Sequence, residues 1–149
     1  MRLRLLVVGR GAGELTAYEA RFIKRLKPFA EVDVIELAEG RGKQAAQRKQ
    51  EEAKQILNRA EKGFVLFDER GRPLASRDWA AYLERLAPNA QFDFVIGGAD
   101  GVDDSVRQAA GICWSLSALT LPHQLARVLV LEQLYRGFTI MHGHPYHRA

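Results

Sequence analysis

The chain has 149 residues, with 22 Lys+Arg against 18 Asp+Glu, 47% apolar residues, 13 glycines and one cysteine. That is the size of one domain able to bury roughly 70% of its unfolded surface, so neither a disulfide nor a structural metal is required. A charged fraction of 27% excludes a disordered or collagen-like chain, and a formal charge of +4 permits an anionic partner without demanding one. The longest stretch without formal charge, Gln108 to Ala126, carries Ser115, Ser117, Thr120, Pro122, His123 and Gln124 and is too polar to span a membrane. Arg2 and Arg4 precede only Leu5 to Val8 before Gly9, far short of a signal-peptide core. A lone Cys113 suits a reducing compartment, so a cytoplasmic location is expected.

Short apolar runs alternate with helical periods. Leu3 to Val8 reads as a buried strand and Leu15 to Lys27 as a helix with Leu15, Tyr18, Phe22 and Leu26 on one face. Val32 to Leu37 is a second strand, Lys43 to Glu61 a long polar helix ended by Gly63, and Phe64 to Phe67 a third strand followed by a turn from Asp68 to Pro73. Ser76 is placed to cap a helix from Asp78 to Leu86. Phe92 to Ile96 is the fourth strand, Asp103 to Ala110 is helical, and Ile112 to Leu119 is strand-like. A last helix runs from Gln124 to Arg136, ended by Gly137, before a tail. Strands alternating with helices predict one α/β domain, residues 1–149, around a largely parallel sheet. The last helix is apolar on more than one face (Leu125, Val128, Leu129, Val130, Leu131, Leu134, Tyr135), so it either lies deep in the core or meets a second subunit.

Five features could carry chemistry. Gly9-x-Gly11-x-Gly13 after the first strand invites a dinucleotide site with Glu31, Asp33 or Glu36 binding ribose, but the third glycine comes one residue too early for the fingerprint. Between Arg41 and Lys62 stand seven basic residues against three glutamates, either a solvated helix or a phosphate-contacting face. Gly97-Gly-Ala-Asp-Gly101 places three glycines at a strand's C-terminal end, where open α/β sheets hold ligands. Leu116 to His123 combines an apolar wall with small hydroxyls, suited to an adenine ring or a methionine-like chain. The tail His142-Gly-His144-Pro-Tyr146-His147-Arg148 lacks the spacing of a metal site and reads as an ordered segment facing a polyanion or an active site. Cys113 beside Trp114 reads as core.

Leu116-Ser-Ala-Leu-Thr-Leu-Pro-His123, then Arg127-Val-Leu-x-x-Glu132-Gln-x-Tyr135-Arg136, and finally His144-Pro-Tyr-His-Arg148 closely resemble the ribosomal RNA large-subunit methyltransferase H family. Ile96 to Gly101 and the opening strand fit the same pattern. The resemblance implies a SPOUT-type fold: a largely parallel sheet flanked by helices, with a C-terminal trefoil knot, acting as a homodimer. It implies transfer of a methyl group from S-adenosylmethionine to N3 of a pseudouridine in 23S-type large-subunit ribosomal RNA, within the assembled ribosome. Carried over by position, the cofactor site is Phe67, Gly97 and Leu116, Ser117, Ala118, Leu119, Thr120 and Leu121. Phe67 stands where relatives carry an aliphatic residue, which suggests a backbone contact. The loop from Gly9 to Glu14 and the charges of the Arg41-to-Lys62 helix also depart from the family pattern. For the chemistry, His144 or His147 would accept the ring proton, Arg148 would stabilise the anionic base or hold a phosphate, and Tyr146 would stack on the flipped nucleotide. No metal is expected. The rival readings are a non-catalytic ribosome- or RNA-binding factor with this fold, and a nicotinamide-dependent reductase using the first glycine turn.

Overall fold

A computed structural model describes residues 1–148. Ten elements alternate: β1 (Arg2–Val8), α1 (Leu15–Leu26), β2 (Glu31–Leu37), α2 (Ala45–Arg59), β3 (Val65–Pro73), α3 (Ser76–Glu84), β4 (Gln91–Ile96), α4 (Asp104–Ala109), β5 (Ile112–Ser115) and α5 (His123–Met141). Every strand pairing is parallel, and the sheet order is β2-β1-β4-β3-β5. All the strands therefore end on one edge, and the loops leaving them gather there.

The two-residue period of the strands sorts the core into two layers. On one face Leu3, Leu5 and Val7 of β1, Phe94 and Ile96 of β4, and Val65 and Phe67 of β3 pack against α1, α3 and α5. On the other, Leu6, Val8, Leu66 and Val95 pack against Ile56 of α2 and Val106 of α4. The central strands are buried on both faces, which is why they read as continuous apolar runs.

Helix α5 lies between α1 and α3 on the sheet, so its apolar faces are covered within the chain. That accounts for most of its all-round hydrophobicity. Gly137 lies inside α5 rather than ending it. A Cβ there would stand 2.9 Å from Leu83 Cδ1 and 3.4 Å from the Ala80 nitrogen, so the glycine permits α3 and α5 to approach closely.

Four other expectations change. The segment from Asp68 to Pro73 extends β3, with a shift in register against β5 between Phe67 and Arg72. Strand β5 stops at Ser115, and Leu116 to Leu121 leave the sheet as a loop. Ser76 is the first helical residue of α3: Ala75 holds the cap position, and its N–H donates to Asp78 at 2.7 Å. On α1, Tyr18 is exposed and Glu19 is buried, because Glu19 pairs with a buried arginine on α5.

Candidate cofactor cavity and the C-terminal tail

A cavity of about 720 Å³ opens at the C-terminal edge of β3, β4 and β5. Residues 67–70 of β3, the end of β4 with the turn after it (96–102), Arg107 of α4, Leu116 and residues 119–122 of the loop after β5, and His123 and Ala126 of α5 build it. The volume lies within the range of small-molecule sites, and a mostly apolar wall with a few polar groups is their usual composition. Phe67, Ile96, Val102, Leu116, Leu121 and Ala126 supply apolar surface, while Asp68, Glu69, Asp100, Arg70 and Arg107 supply charge.

Six of the eight residues expected to hold the cofactor line this space: Phe67, Gly97, Leu116, Leu119, Thr120 and Leu121. Ser117 and Ala118 do not. Ser117 instead shapes the loop: its Oγ accepts from the Leu119 N–H at 2.9 Å, and its carbonyl accepts from Ser115 Oγ at 3.0 Å. That turn leaves Leu119 71% exposed beside the cavity. The Phe67 ring packs into the core against Trp79 and Phe94, at 5.6 and 6.1 Å between centroids.

The charged wall is itself held in place. Asp68 is ion-paired with Arg107, which also reaches Asp104 at 2.6 Å. Asp103 caps α4 by accepting from Ser105 N–H at 3.1 Å, and the Ser105 hydroxyl and N–H hold its carboxyl below the usual range. Arg48 lowers the Asp100 carboxyl in the same way, through a two-pronged hydrogen bond.

His123 also lines the cavity, and it was absent from the residues expected there. It is the last residue of the quoted Leu116-to-His123 motif and the first of α5, which was the available signal. Its Nδ1 is buried without a hydrogen-bond partner. The ring rests on Gly9, whose φ of +104° favours glycine and whose absent Cβ would stand 2.7 Å from His123 Cε1.

The first glycine turn thus has another occupation. Gln124 donates to the Arg10 carbonyl at 3.1 Å and accepts from Ala12 N–H at 3.3 Å. Gly11 N–H donates to Glu36, and Arg127 bridges Glu36 at 2.8 Å and Glu19 at 2.7 Å. These contacts fasten the turn to α5 and β2, with the Arg127 guanidinium where a dinucleotide's pyrophosphate would need to approach.

The four expected catalytic residues are gathered with one another but lie away from the cavity. The tail folds back on the last turns of α5. His144 N–H donates to the Thr139 carbonyl at 2.9 Å, and Tyr146 N–H donates to His144 Nδ1 at 3.1 Å. The Tyr146 ring meets Tyr135 edge-on at 4.8 Å, and the Arg136 guanidinium lies 4.7 Å over it. Arg136 Nη1 is 3.2 Å from His147 Nδ1. Burial, with Glu132 nearby, pushes the Tyr146 phenol up, so it stays protonated at neutral pH. Arg148 is exposed at the end of this segment. Arg136 stands thirteen residues beyond His123 on one helix, roughly 20 Å along its axis.

Comparison with known proteins fits this arrangement. Residues 1–147 match a family model described as predicted SPOUT methyltransferase. A protein of Rhodopseudomonas palustris (strain TIE-1) named ribosomal RNA large subunit methyltransferase H is 44% identical, with both chains covered in full. A protein of the same name from Syntrophotalea carbinolica is 44% identical over 99% of each chain. Among solved structures, a probable methylase family protein from Haemophilus influenzae Rd KW20 superposes with a TM-score of 0.56 at 13% identity, over 99% of this chain and 70% of that one, a likeness of fold. The chain belongs to the ribosomal RNA large subunit methyltransferase H family of SPOUT methyltransferases.

Proposed function

We propose that this single-domain protein transfers a methyl group from S-adenosylmethionine to N3 of a pseudouridine in large-subunit ribosomal RNA. Its substrate is the assembled ribosome, in the cytoplasm. The observation that carries the reading is the cavity at the C-terminal edge of the sheet, walled by six residues that the family resemblance assigns to the cofactor. The glycine at 97 is required by the packing of this wall, because a Cβ there would collide with the Val102 side chain of the same turn. We read the loop from Leu116 to Leu121 as part of the trefoil knot of the SPOUT fold.

Bound there, S-adenosylmethionine supplies an electrophilic methyl carbon. The protein's part is alignment and charge. In the folded-back tail, His144 Nδ1 accepts from a backbone N–H and His147 Nδ1 faces an arginine, so each neutral ring keeps its proton on Nε2. These rings are suited to donate toward an anionic base. To serve as proton acceptors, they must first release those contacts. His123 lines the cavity with an Nδ1 that is unpartnered but buried against Gly9, so it joins them as a candidate acceptor that must first turn its ring toward the cavity. Tyr146 is placed to stack on the nucleotide and Arg148 to hold a phosphate.

A tail about 20 Å from its own cavity serves the reaction if it reaches the cavity of a second copy. The functional unit is then a homodimer, with Leu119 and Leu125 exposed at the cavity end of α5.

The deciding experiment supplies ribosomes lacking the modification and labelled S-adenosylmethionine, then maps the product by mass. Label on one pseudouridine supports the reading. Tight ribosome binding with neither cofactor binding nor transfer would favour the non-catalytic factor. Subunit mixing tests the shared site: a chain ending at Gly143 combined with a full-length Gly97→Val chain should regain about a quarter of native activity if tails cross between subunits, and none if they do not.

A further inference from the structure

Arg48 and Glu52, one turn apart on α2, both turn toward the chain, with the Arg48 side chain 31% exposed. Glu52 is only 4% exposed. Its Oε2 accepts from Gly40 N–H at 2.8 Å, while Oε1 is buried without a partner. That oxygen lies against Gly98, 2.8 Å from where a Cβ would be. Arg48 donates through Nε and Nη2 to the two oxygens of Asp100, at 2.7 and 3.1 Å. Its Nη1 donates to the carbonyls of Gly42 and Lys43, both at 3.0 Å.

Gly98 and Asp100 belong to the turn from Gly97 to Gly101, and that turn is a wall of the cavity. The backbone of the turn is closed on itself by the Gly101 N–H to Gly98 carbonyl bond at 3.0 Å. Cavity lies on one side of it and the α2 pair on the other, since neither Arg48 nor Glu52 lines the cavity. A buried carboxyl with an orphan oxygen is destabilising, and an apolar residue would serve simple packing better. Burial together with Asp100 and Glu39 pushes the Glu52 carboxyl up, which favours a neutral acid beneath the turn.

We propose that Arg48 and Glu52 are positioning residues that hold the turn from Gly97 to Gly101 from behind and thereby set the affinity of the cavity for S-adenosylmethionine without touching it. The inference rests on the methyltransferase reading above and assigns the basic helix a role that sequence alone left between solvation and phosphate contact. It is distinct from stapling α2 to the sheet, which would influence stability and leave affinity alone.

The test is calorimetric titration of S-adenosylmethionine into full-length wild type, Arg48→Met, Arg48→Lys, Glu52→Ala and Glu52→Gln, with thermal melts in parallel. Arg48→Met and Glu52→Ala should weaken binding about tenfold while the protein remains folded at the assay temperature. In turnover with unmodified ribosomes their KM for S-adenosylmethionine should rise in the same proportion, with kcat within about twofold. Glu52→Gln, which keeps an acceptor for Gly40 N–H and nearly the same shape against Gly98, should bind within about twofold of wild type. Arg48→Lys retains the charge but lacks the fork, so it should fall between wild type and Arg48→Met and supplies the answer if Arg48→Met does not fold. Native affinity in both Arg48→Lys and Glu52→Ala, or a fall in kcat at constant KM, would overturn the proposal. A wild type that bound no S-adenosylmethionine would remove the methyltransferase reading and this inference together, which is a different result from native binding by the variants.

Discussion

At its N-terminal end α5 presents His123, Gln124 and Arg127 to loops, a cavity wall and buried carboxylates. At its C-terminal end the same helix presents Tyr135 and Arg136 to a short tail held by ring stacking and a few hydrogen bonds. The first end is anchored by long-range contacts to α1, β2 and the loop after β1. The second packs Tyr135, Phe138 and His142 on Phe29, and it is the tail beyond it that is held only by the helix's own last turns. On the proposed function, a rigid helix therefore carries the cofactor cavity and the reacting tail roughly 20 Å apart in one chain. The anchored half suits holding a ligand, and the lightly held half suits meeting a large substrate that arrives from outside.

Removing the tail is the most forceful way to break this comparison. A chain ending at Gly143 should lose at least about 100-fold in methyl transfer, the scale of positioned acid–base groups, and should bind S-adenosylmethionine within about twofold of the full chain. Labelled transfer and calorimetry on the same sample check both halves. A truncated chain with native turnover would dismiss the tail from the reaction.

At the anchored end, Arg127→Leu strands Glu19 in the core and takes from Glu36 the cation that pairs with it. Breaking a buried pair by removing one partner costs about 3–5 kcal/mol, so the melting temperature should fall by about 10 °C. If it fell by only a degree or two, the network would be dispensable. At the crossing of α3 and α5, Gly137→Ala inserts a methyl group against Leu83, whose side-chain end can partly yield. Overpacking should outweigh the gain in helix propensity and leave a net loss of about 1–2 kcal/mol, read by urea unfolding.

The sequence made the alternation of strands and helices legible, because short apolar runs in β1, β3 and β4 and a helical period in α1 and α3 are local signals. It misjudged the ends of elements where tertiary contact overrides local chemistry. Gly137 looked like a helix stop because glycine usually is one, and only the α3 backbone explains why a helix keeps it. Asp68 to Pro73 looked like a turn because its residues favour turns, yet β5 pairs with its end. For the site, the loop from Leu116 to Leu121 was visible through its composition. Arg48 and Glu52 were hidden, because a charge on a helix gives no indication of whether it faces water or the back of a turn. Glu19 was hidden for the same reason: its partner lies 108 residues away.

The gentlest probe of the anchored end is acid. Gly11 N–H, and after it Arg127, hold the Glu36 carboxyl below its ordinary value of 4.5. A folded pKa below the unfolded one means that Glu36 contributes stability above the ordinary value and loses it as pH falls through the folded value. Glu36→Gln should therefore be less stable than wild type near about pH 7, with the difference shrinking as the solution is taken into acid through the folded value. The Glu36 side chain is 40% exposed, so solvent screens the pair and the difference at neutral pH should be about 1 kcal/mol or less. Urea unfolding of both proteins across that range checks it. A difference that persisted unchanged into acid would mean that Glu36 fastens the turn by shape and not by charge, and that Glu19 alone neutralises Arg127.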